Sequence, residues 1–343
     1  MDLFEQLPGA LLPWYDAGHR DLPWRRDREP YHVWLSEIML QQTRVEAVRG
    51  YYARFLAALP DIPALAAADP DVLHKLWEGL GYYARVRNLQ RAAQVILEQH
   101  QGQFPADYDA VRALPGIGDY TAGAVCSICF GLPTPAVDGN VLRLAARVAD
   151  CADPITDPRV KKAVAARLRA VYPAGRCGDF TQSLMELGAT LCGPNAAPQC
   201  ALCPCRGFCL GRARGTAAAL PVKAPKRARR DEEMTVFLLW CGERVAVARR
   251  PGRGLLAGLW SFPNVPGKLE VQQALDQAAA WGVRPTDVVS IAEKEHIFTH
   301  VRWQQRGYTI RCAREGGRFV WADRRQVEEE LALPTAFRQF WTG

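Results

Sequence analysis

The 343-residue sequence contains no run of about 18 or more consecutive apolar residues, so no membrane-spanning helix is expected and no membrane partner. It opens with Asp2 and Glu5 and has no basic segment ahead of a hydrophobic stretch there. A secretory signal is therefore not expected; the expected location is cytoplasmic, on the nucleoid if the source is bacterial. No internal repeat and no long low-complexity tract stands out. Nor is one sign of charge scarce: 43 basic against 36 acidic residues leave a formal net charge of +7. That balance suits a polyanionic partner without identifying one. Cysteine, by contrast, is plentiful. Eleven cysteines, an odd number, without an export signal argue for metal or redox chemistry rather than disulfides.

The composition, 49% hydrophobic and 23% charged, is that of a globular chain long enough for two cores. Residues 1–212 alternate helical periodicities, as in Asp71–Trp77 and Asn88–Leu97, with Pro/Gly punctuation and no convincing strand alternation. This part reads as all-α. Residues 213–232 shift to Arg, Ala, Pro and Lys, ending in the charge run Lys223–Arg230, and read as a basic linker. Residues 233–343 read as an α+β domain. Within it Thr235–Trp240 and Arg244–Ala248 form a hairpin through Cys241-Gly242-Glu243, and Phe298–Arg311 holds a strand pair around Gly307.

Three constellations carry chemistry. The first is Leu114-Pro115-Gly116-Ile117-Gly118-Asp119-Tyr120, a tight turn opening a helix over Thr121–Phe130. Glycines there let backbone N–H groups converge on an anion, and a helix N-terminus favours phosphate; an ordinary loop-to-helix turn is the bland alternative. The second is Cys192-x7-Cys200-x2-Cys203-x5-Cys209, four thiols within 18 residues, which suits zinc or an iron–sulfur cluster on spacing alone. Cys205 is a fifth, competing thiol. The third is a pair of carboxylates. Asp138 precedes a helix beginning near Asn140 and is either an N-cap or a catalytic group. Glu37, flanked by Trp34, Ile38 and Leu40 on an amphipathic helix, is either solvent-facing or a buried acid whose ionised form is disfavoured.

Leu22-Pro23-Trp24-Arg25, Trp34-Leu35-Ser36-Glu37, Met39-Leu40-Gln41-Gln42-Thr43, Gly79–Arg85, Gly116-Ile117-Gly118 and Asp138-Gly139-Asn140 together resemble the MutY-type adenine DNA glycosylases. These belong to the helix-hairpin-helix base-excision superfamily, and the likeness runs from about residue 12 to 210. It implies a multidomain fold: an all-α helix-hairpin-helix glycosylase domain with a 4Fe–4S loop, linked to an α+β Nudix-like C-terminal domain. It implies Glu37 as the acid that protonates adenine and later assists water, and Asp138 as the carboxylate stabilising the cationic sugar, supported by Tyr120 and Asn140. It implies Trp24, Arg25 and Gln182 in the adenine pocket, Gln42, Leu80 and Tyr82 as duplex-inserting residues, and Gly116 and Gly118 at the DNA backbone. Tyr82 could equally be a core aromatic. The resemblance selects one 4Fe–4S cluster on Cys192, Cys200, Cys203 and Cys209, fastening a loop rather than catalysing; the family usually has one residue fewer between the first two. Tyr120 stands where bifunctional members carry a Schiff-base lysine, which implies a monofunctional enzyme.

Gly254–Pro263 resembles the Nudix-like domain with which this family recognises 8-oxoguanine opposite the target adenine. Leu269–Gly282 carries only Glu270 and Asp276, too few carboxylates for Mg²⁺-dependent pyrophosphate hydrolysis, so a reader domain is expected. Phe298-Thr299-His300 matches the family's lesion-reading loop, with threonine in place of the usual serine; without the neighbouring motifs His300 would be an unremarkable hairpin histidine. The expected partner is double-stranded DNA with an adenine:8-oxoguanine or adenine:guanine mispair, bound by a monomer. Two rivals remain open from the sequence: an endonuclease III-like glycosylase/lyase acting on oxidised pyrimidines, and a redox- or damage-sensing DNA-binding protein without catalysis.

Overall fold

The computed structural model describes residues 2–194, 197–224 and 228–341. Asn195 and Ala196, where the longer cysteine spacing falls, and Lys226 and Arg227 of the basic run lie outside the described residues. In chain order the helices are α1 (Leu7–Gly18), α2 (Pro30–Leu40), α3 (Val45–Ala58), α4 (Ile62–Ala67), α5 (Pro70–Leu76), α6 (Ala84–Gln99), α7 (Tyr108–Ala113), α8 (Asp119–Phe130), α9 (Gly139–Ala149), α10 (Pro158–Arg169), α11 (Cys177–Ala189) and α12 (Leu210–Ala213). No strand occurs among the described residues before Arg230, and no described helix is long and apolar enough to cross a membrane. Two compact units result: residues 1–67 with 87–225, and residues 68–86 with 226–343.

In the first unit α2 and α8 are central because their sequences leave little polar face. Thr121–Ile128 of α8 and Val33–Met39 of α2 are buried without interruption, as expected of a helix apolar on nearly every side. Packed beside them, α1, α9 and α11 share a core built from Leu7, Leu11, Val141, Leu144, Phe180 and Leu184. Each such side chain contributes roughly 1.5–3 kcal/mol of burial before chain entropy opposes it. Gly188 makes the α9–α11 contact possible. A Cβ there would stand 2.7 Å from Asn140 Cβ and 2.9 Å from the Asn140 carbonyl oxygen. Its absence brings α11 against the first turn of α9.

The second unit is built on β1 (Arg230–Cys241), β2 (Arg244–Arg249), β3 (Trp260–Ser261), β4 (Asn264–Pro266), α13 (Val271–Ala280), β5 (Pro285–Ile297), β6 (Val301–Cys312), β7 (Val320–Ala322) and α14 (Thr335–Arg338). The sheet runs β3-β2-β1-β6-β5, with β4 also pairing β1 and β7 pairing β2. Its central pair, β1 and β6, is parallel; the β1–β2 and β5–β6 pairs are antiparallel. Alternation along β1 supplies both faces. Val236 and Leu238 join Phe262, Trp303 and Phe337 on one side, while Phe237 and Leu239 join Ala274, Ala278 and Tyr308 on the other. The first hairpin lies where the sequence predicts it, with Trp240 opposite Val245 and Gly242 at φ +59°. The second does not. Gly307 sits inside β6, and the β5–β6 turn is Phe298-Thr299-His300. A side chain at 307 would meet the Phe340 ring at 2.4 Å, so this glycine serves packing rather than a turn.

On α13, Glu270 takes part in a capping box and pairs with Arg306 at 2.7 Å, while Asp276 accepts from Gln272 at 3.0 Å. Residues 68–86, α5 and the turn after it, are held in this unit by Lys75, whose Nζ donates to the Leu331 carbonyl at 3.2 Å, by the Asp71–Arg249 ion pair and by Glu78. That carboxylate pairs with Lys75 at 2.7 Å and accepts from the Leu333 amide at 3.1 Å and from Arg338 at 3.2 Å.

Candidate active site

An open cleft of about 640 Å³ in the first unit is lined by residues from α2, α8, α9, α11 and the 3₁₀ turn Pro23–Arg25. Glu37, Tyr120, Asp138, Asn140, Trp24, Arg25, Gln42 and Gln182, which lie far apart in the sequence, all line it. Glu37 projects from a helix buried along that stretch and is only 6% exposed. Burial pushes its carboxyl up to about 7; the Tyr120 hydroxyl, which donates to Glu37 Oε2, and the charge of Arg25 oppose the rise, and Asp138 adds to it. Tyr120 is itself held well above the ordinary phenol range by burial and the two carboxylates, so it stays a hydrogen-bond donor.

Asp138 caps α9 and faces the cleft at once. Its Oδ1 accepts from the backbone amides of Asn140 (2.9 Å) and Val141 (2.8 Å), and its Oδ2 from Asn140 Nδ2 (2.7 Å). Burial raises its pKa, while these hydrogen bonds pull the other way. The cap and the site are therefore one arrangement, fixing both carboxylate oxygens. Behind it the buried Arg143 donates to Asn140 Oδ1 at 2.7 Å and to the Cys192 carbonyl at 2.8 Å.

The hairpin joins α7 to α8. Gly116 adopts φ +76°, and a side chain there would collide with Asn88. Gly118 is the N-cap of α8, in extended conformation and without a side-chain cap, so amides of the first turn of α8 lack intrahelical acceptors. Among the duplex-inserting candidates, Gln42 is exposed at φ +61° and Tyr82 is 50% exposed at φ +48°, which excludes a core role for Tyr82. Leu80 is buried, 7% exposed. In the second unit the Tyr82 hydroxyl lies 2.8 Å from Thr299 Oγ1. Phe298 packs edge-on against His296 and Trp303, and its amide donates to the Val301 carbonyl at 2.8 Å, which leaves Thr299 and His300 exposed at the tip.

The cysteine expectation is corrected. Among the described residues no group of three or more His, Cys, Asp or Glu is arranged to hold a metal ion. This overturns the 4Fe–4S loop, the iron–sulfur and metal-binding character and the cluster ligands Cys192, Cys200, Cys203 and Cys209. These four line one cavity with Cys205, but three of them are engaged otherwise. Cys192 Sγ accepts from Arg147 at 3.2 Å, the Cys209 thiol donates to the Arg147 carbonyl at 3.3 Å, and Cys203 hydrogen-bonds with Cys205. Burial raises the Cys192 and Cys209 thiols, whereas the hydrogen bond from Cys205 lowers Cys203 to about 7. Arg147 donates also to the carbonyls of Cys192, Gly193 and Leu220, and shares the Cys192 carbonyl with Arg143.

Residues 35–170 match the HhH-GPD superfamily of base excision DNA repair proteins, and residues 235–343 match a NUDIX domain. An adenine DNA glycosylase of Rattus norvegicus is 33% identical over 398 residues, covering 96% of this chain and 77% of that protein. The chain belongs to the adenine DNA glycosylase family. The Homo sapiens adenine DNA glycosylase is 36% identical, covering 88% of this chain and 66% of its own length, and the Arabidopsis thaliana one 38%, covering 85% and 55%. The chain thus spans somewhat less than two thirds of the human relative and about half of the plant one. A thermostable thymine-DNA glycosylase structure aligns with a TM-score of 0.55 at 26% identity, over 62% of this chain and 97% of that one. An endonuclease III–DNA complex aligns at 0.53 and 23% identity, over 63% and 99%, a likeness of fold alone.

This member of the adenine DNA glycosylase family also lines its cleft with residues that sequence reading passes over: Arg20, Ser36, Gln41, Lys161 and Met185. Lys161 lies in the first turn of α10, a helix opened by Pro158, and carries no local signature. Glu186, behind the cleft wall, is invisible as a buried acid because helix periodicity alone does not say which carboxylate finds two arginines.

Proposed function

We propose that the protein hydrolyses the N-glycosidic bond of adenine in duplex DNA, where adenine stands opposite 8-oxoguanine or guanine, and stops at the abasic site. The observation that carries this is Glu37, a carboxyl buried enough to keep its proton near neutrality, sharing a cleft with Asp138. Two carboxylates with separated roles suit a reaction that must protonate a leaving group and stabilise an oxocarbenium-like sugar. In this reading Glu37 delivers its proton to the base and afterwards orients the attacking water. Asp138, both oxygens fixed by the first turn of α9, faces the cation that develops at the sugar. Tyr120 holds Glu37 in place, and Asn140 holds Asp138.

The target base must leave the stack, and Trp24, Arg25 and Gln182 form the walls that would receive it. Gln42 in the first unit and Tyr82 in the second are each exposed in a left-handed backbone conformation, which suits insertion into a duplex; the buried Leu80 does not suit it as it stands. The amides around Gly116 and Gly118 suit a backbone phosphate. Glu270 and Asp276 are committed to contacts within the second unit, which favours a reader over a Nudix hydrolase. Phe298, Thr299 and His300 would read the base opposite. Replacing Phe298 and His300 by alanine should shrink the preference for 8-oxoguanine over guanine opposite adenine by about tenfold, measured as a ratio of single-turnover rates. An unchanged ratio would remove these residues from the reading.

The reaction itself is tested by single-turnover cleavage of a duplex with adenine opposite 8-oxoguanine, assayed with and without hot alkali. Breaks only after alkali are expected, since Tyr120 cannot form a Schiff base. Breaks without alkali would reject the monofunctional reading and direct attention to Lys161; absence of adenine release would reject the reaction.

A further inference from the structure

We propose that Glu186 is a positioning residue of the reaction: it holds the guanidinium of Arg25 in the cleft wall, and it acts on Glu37 through Arg25. The inference rests on the reading of Glu37 as the acid. Glu186 is 2% exposed on α11 and does not itself line the cleft, yet its two oxygens are saturated with donors. Oε1 accepts from Arg20 Nε at 2.7 Å and from the Arg20 backbone amide at 3.3 Å. Oε2 accepts from Arg20 Nη2 and from Arg25 Nη2, each at 2.8 Å. Arg20 and Arg25 both line the cleft. Two guanidinium groups this close repel; one buried carboxylate between them allows both to stay, and the remaining unit of positive charge is presented to the cleft.

The orientation is specific as well as the charge. Arg25 spends one terminal nitrogen on Glu186 and the other on a long contact of 3.4 Å to the Arg20 carbonyl, while its Nε has no partner among the described residues. Its guanidinium also lies 5.9 Å from the centre of the Tyr15 ring, and the Tyr15 hydroxyl donates to Gln182 at 2.7 Å, one turn before Glu186 on α11. The wall is thus a chain of contacts from Gln182 through Tyr15 and Arg25 to Glu186. Burial favours the neutral form of Glu186, but the hydrogen bonds and charges of Arg20 and Arg25 outweigh it and keep the carboxylate below its ordinary range.

The charged and titratable groups facing Glu186 are Arg20, Arg25 and Tyr15; Asp179, on the same helix, is paired with Arg28 and Arg176. Those facing Glu37 are Tyr120 and the buried thiol of Cys129 from α8, Asp138 at the start of α9, and Arg25. Arg25 is the one group common to both sets. Removing the charge of Glu186 leaves Arg25 uncompensated, and added positive charge favours ionised Glu37. The alkaline limb of the pH–rate profile should then move to lower pH.

The experiment is single-turnover adenine release between about pH 5 and 9, with thermal melting, for the wild type, E186Q, E186D, R25A and R25A/E186Q. Loss of a charge-assisted bond predicts E186Q slower by about tenfold or more at neutral pH. Its alkaline limb should be shifted acidward, and E186D should return the limb to the wild-type position. In the R25A background E186Q should displace the alkaline limb no further, since the two act on Glu37 in series. Wild-type behaviour of a folded E186Q, an unmoved limb, or a limb displaced further in the double variant than in R25A would each overturn the proposal. Should E186Q not fold, E186D decides: it should be slower with an unmoved limb, and a displaced limb overturns the idea. Wild-type adenine release with any of these failures sinks this proposal alone; no release by the wild type sinks the proposed reaction and this proposal with it.

Discussion

Glu37→Gln should abolish adenine release while making the protein more stable. The rate loss expected for removing a general acid is about 10²- to 10⁴-fold, seen in single-turnover assays, with binding of the lesion duplex retained. The stability gain follows from the same burial. The Glu37 carboxyl is raised from an ordinary value of 4.5 to about 7, so the folded state holds its proton where the unfolded chain has lost it. The stability it contributes is complete below about pH 4.5 and is lost as pH rises through about 7. Above that range the folded chain carries an ionised carboxylate that prefers water, at a cost of about 3 kcal/mol. Glutamine removes this cost and still accepts from Tyr120. A thermal melt at pH 8 should therefore rise in the variant, and the wild type should lose activity tenfold per pH unit above about 7. A variant that keeps excising adenine would remove Glu37 from the acid role. One that melts lower at pH 8 would contradict the cost of holding Glu37 buried and ionised there.

Asp138→Asn separates two duties that the structure joins. Asparagine caps helices about as well as aspartate and keeps one oxygen for the Asn140 and Val141 amides, so the first turn of α9 should survive. The melting temperature should be lowered modestly, because the new amide nitrogen meets the Asn140 Nδ2 donor. The negative charge facing the cleft is lost, however, and with it the group opposite the developing cation. Removing one preorganised electrostatic contact of this kind typically costs about 10²- to 10³-fold. Adenine release should fall by that order in a protein that folds normally. Near-wild-type turnover would reduce Asp138 to a helix cap, the alternative that its position before Asn140 leaves open from the sequence.

The local signals in the sequence identify much of this arrangement and fail in instructive places. The Gly116–Gly118 turn, the helix after it and the Cys241–Glu243 hairpin are set by neighbours in the chain, and they lie where residue chemistry places them. Gly307 misleads because glycine is also used where an aromatic ring, here Phe340, needs room. The cysteines mislead for a related reason: crowding in sequence brings thiols to one cavity, but does not say that they are arranged to hold a metal ion. Arg147 takes two of the four, and Cys205 a third. Glu37 and Asp138 are legible as candidates, but their burial and shared cleft depend on α2, α8 and α9 meeting in space. Glu186 is not legible at all, because its meaning comes from Arg20 and Arg25, more than 160 positions away.

Glu78 has a consequence for truncated forms of the chain. A premature stop codon in the basic segment after residue 213 would delete the Leu333 amide and Arg338 while leaving Glu78 behind. The shortened product would not be a tidy catalytic half. It would keep α5 and the Tyr82 turn with their anchoring surface gone, and that stretch would be the natural first target of a cellular protease.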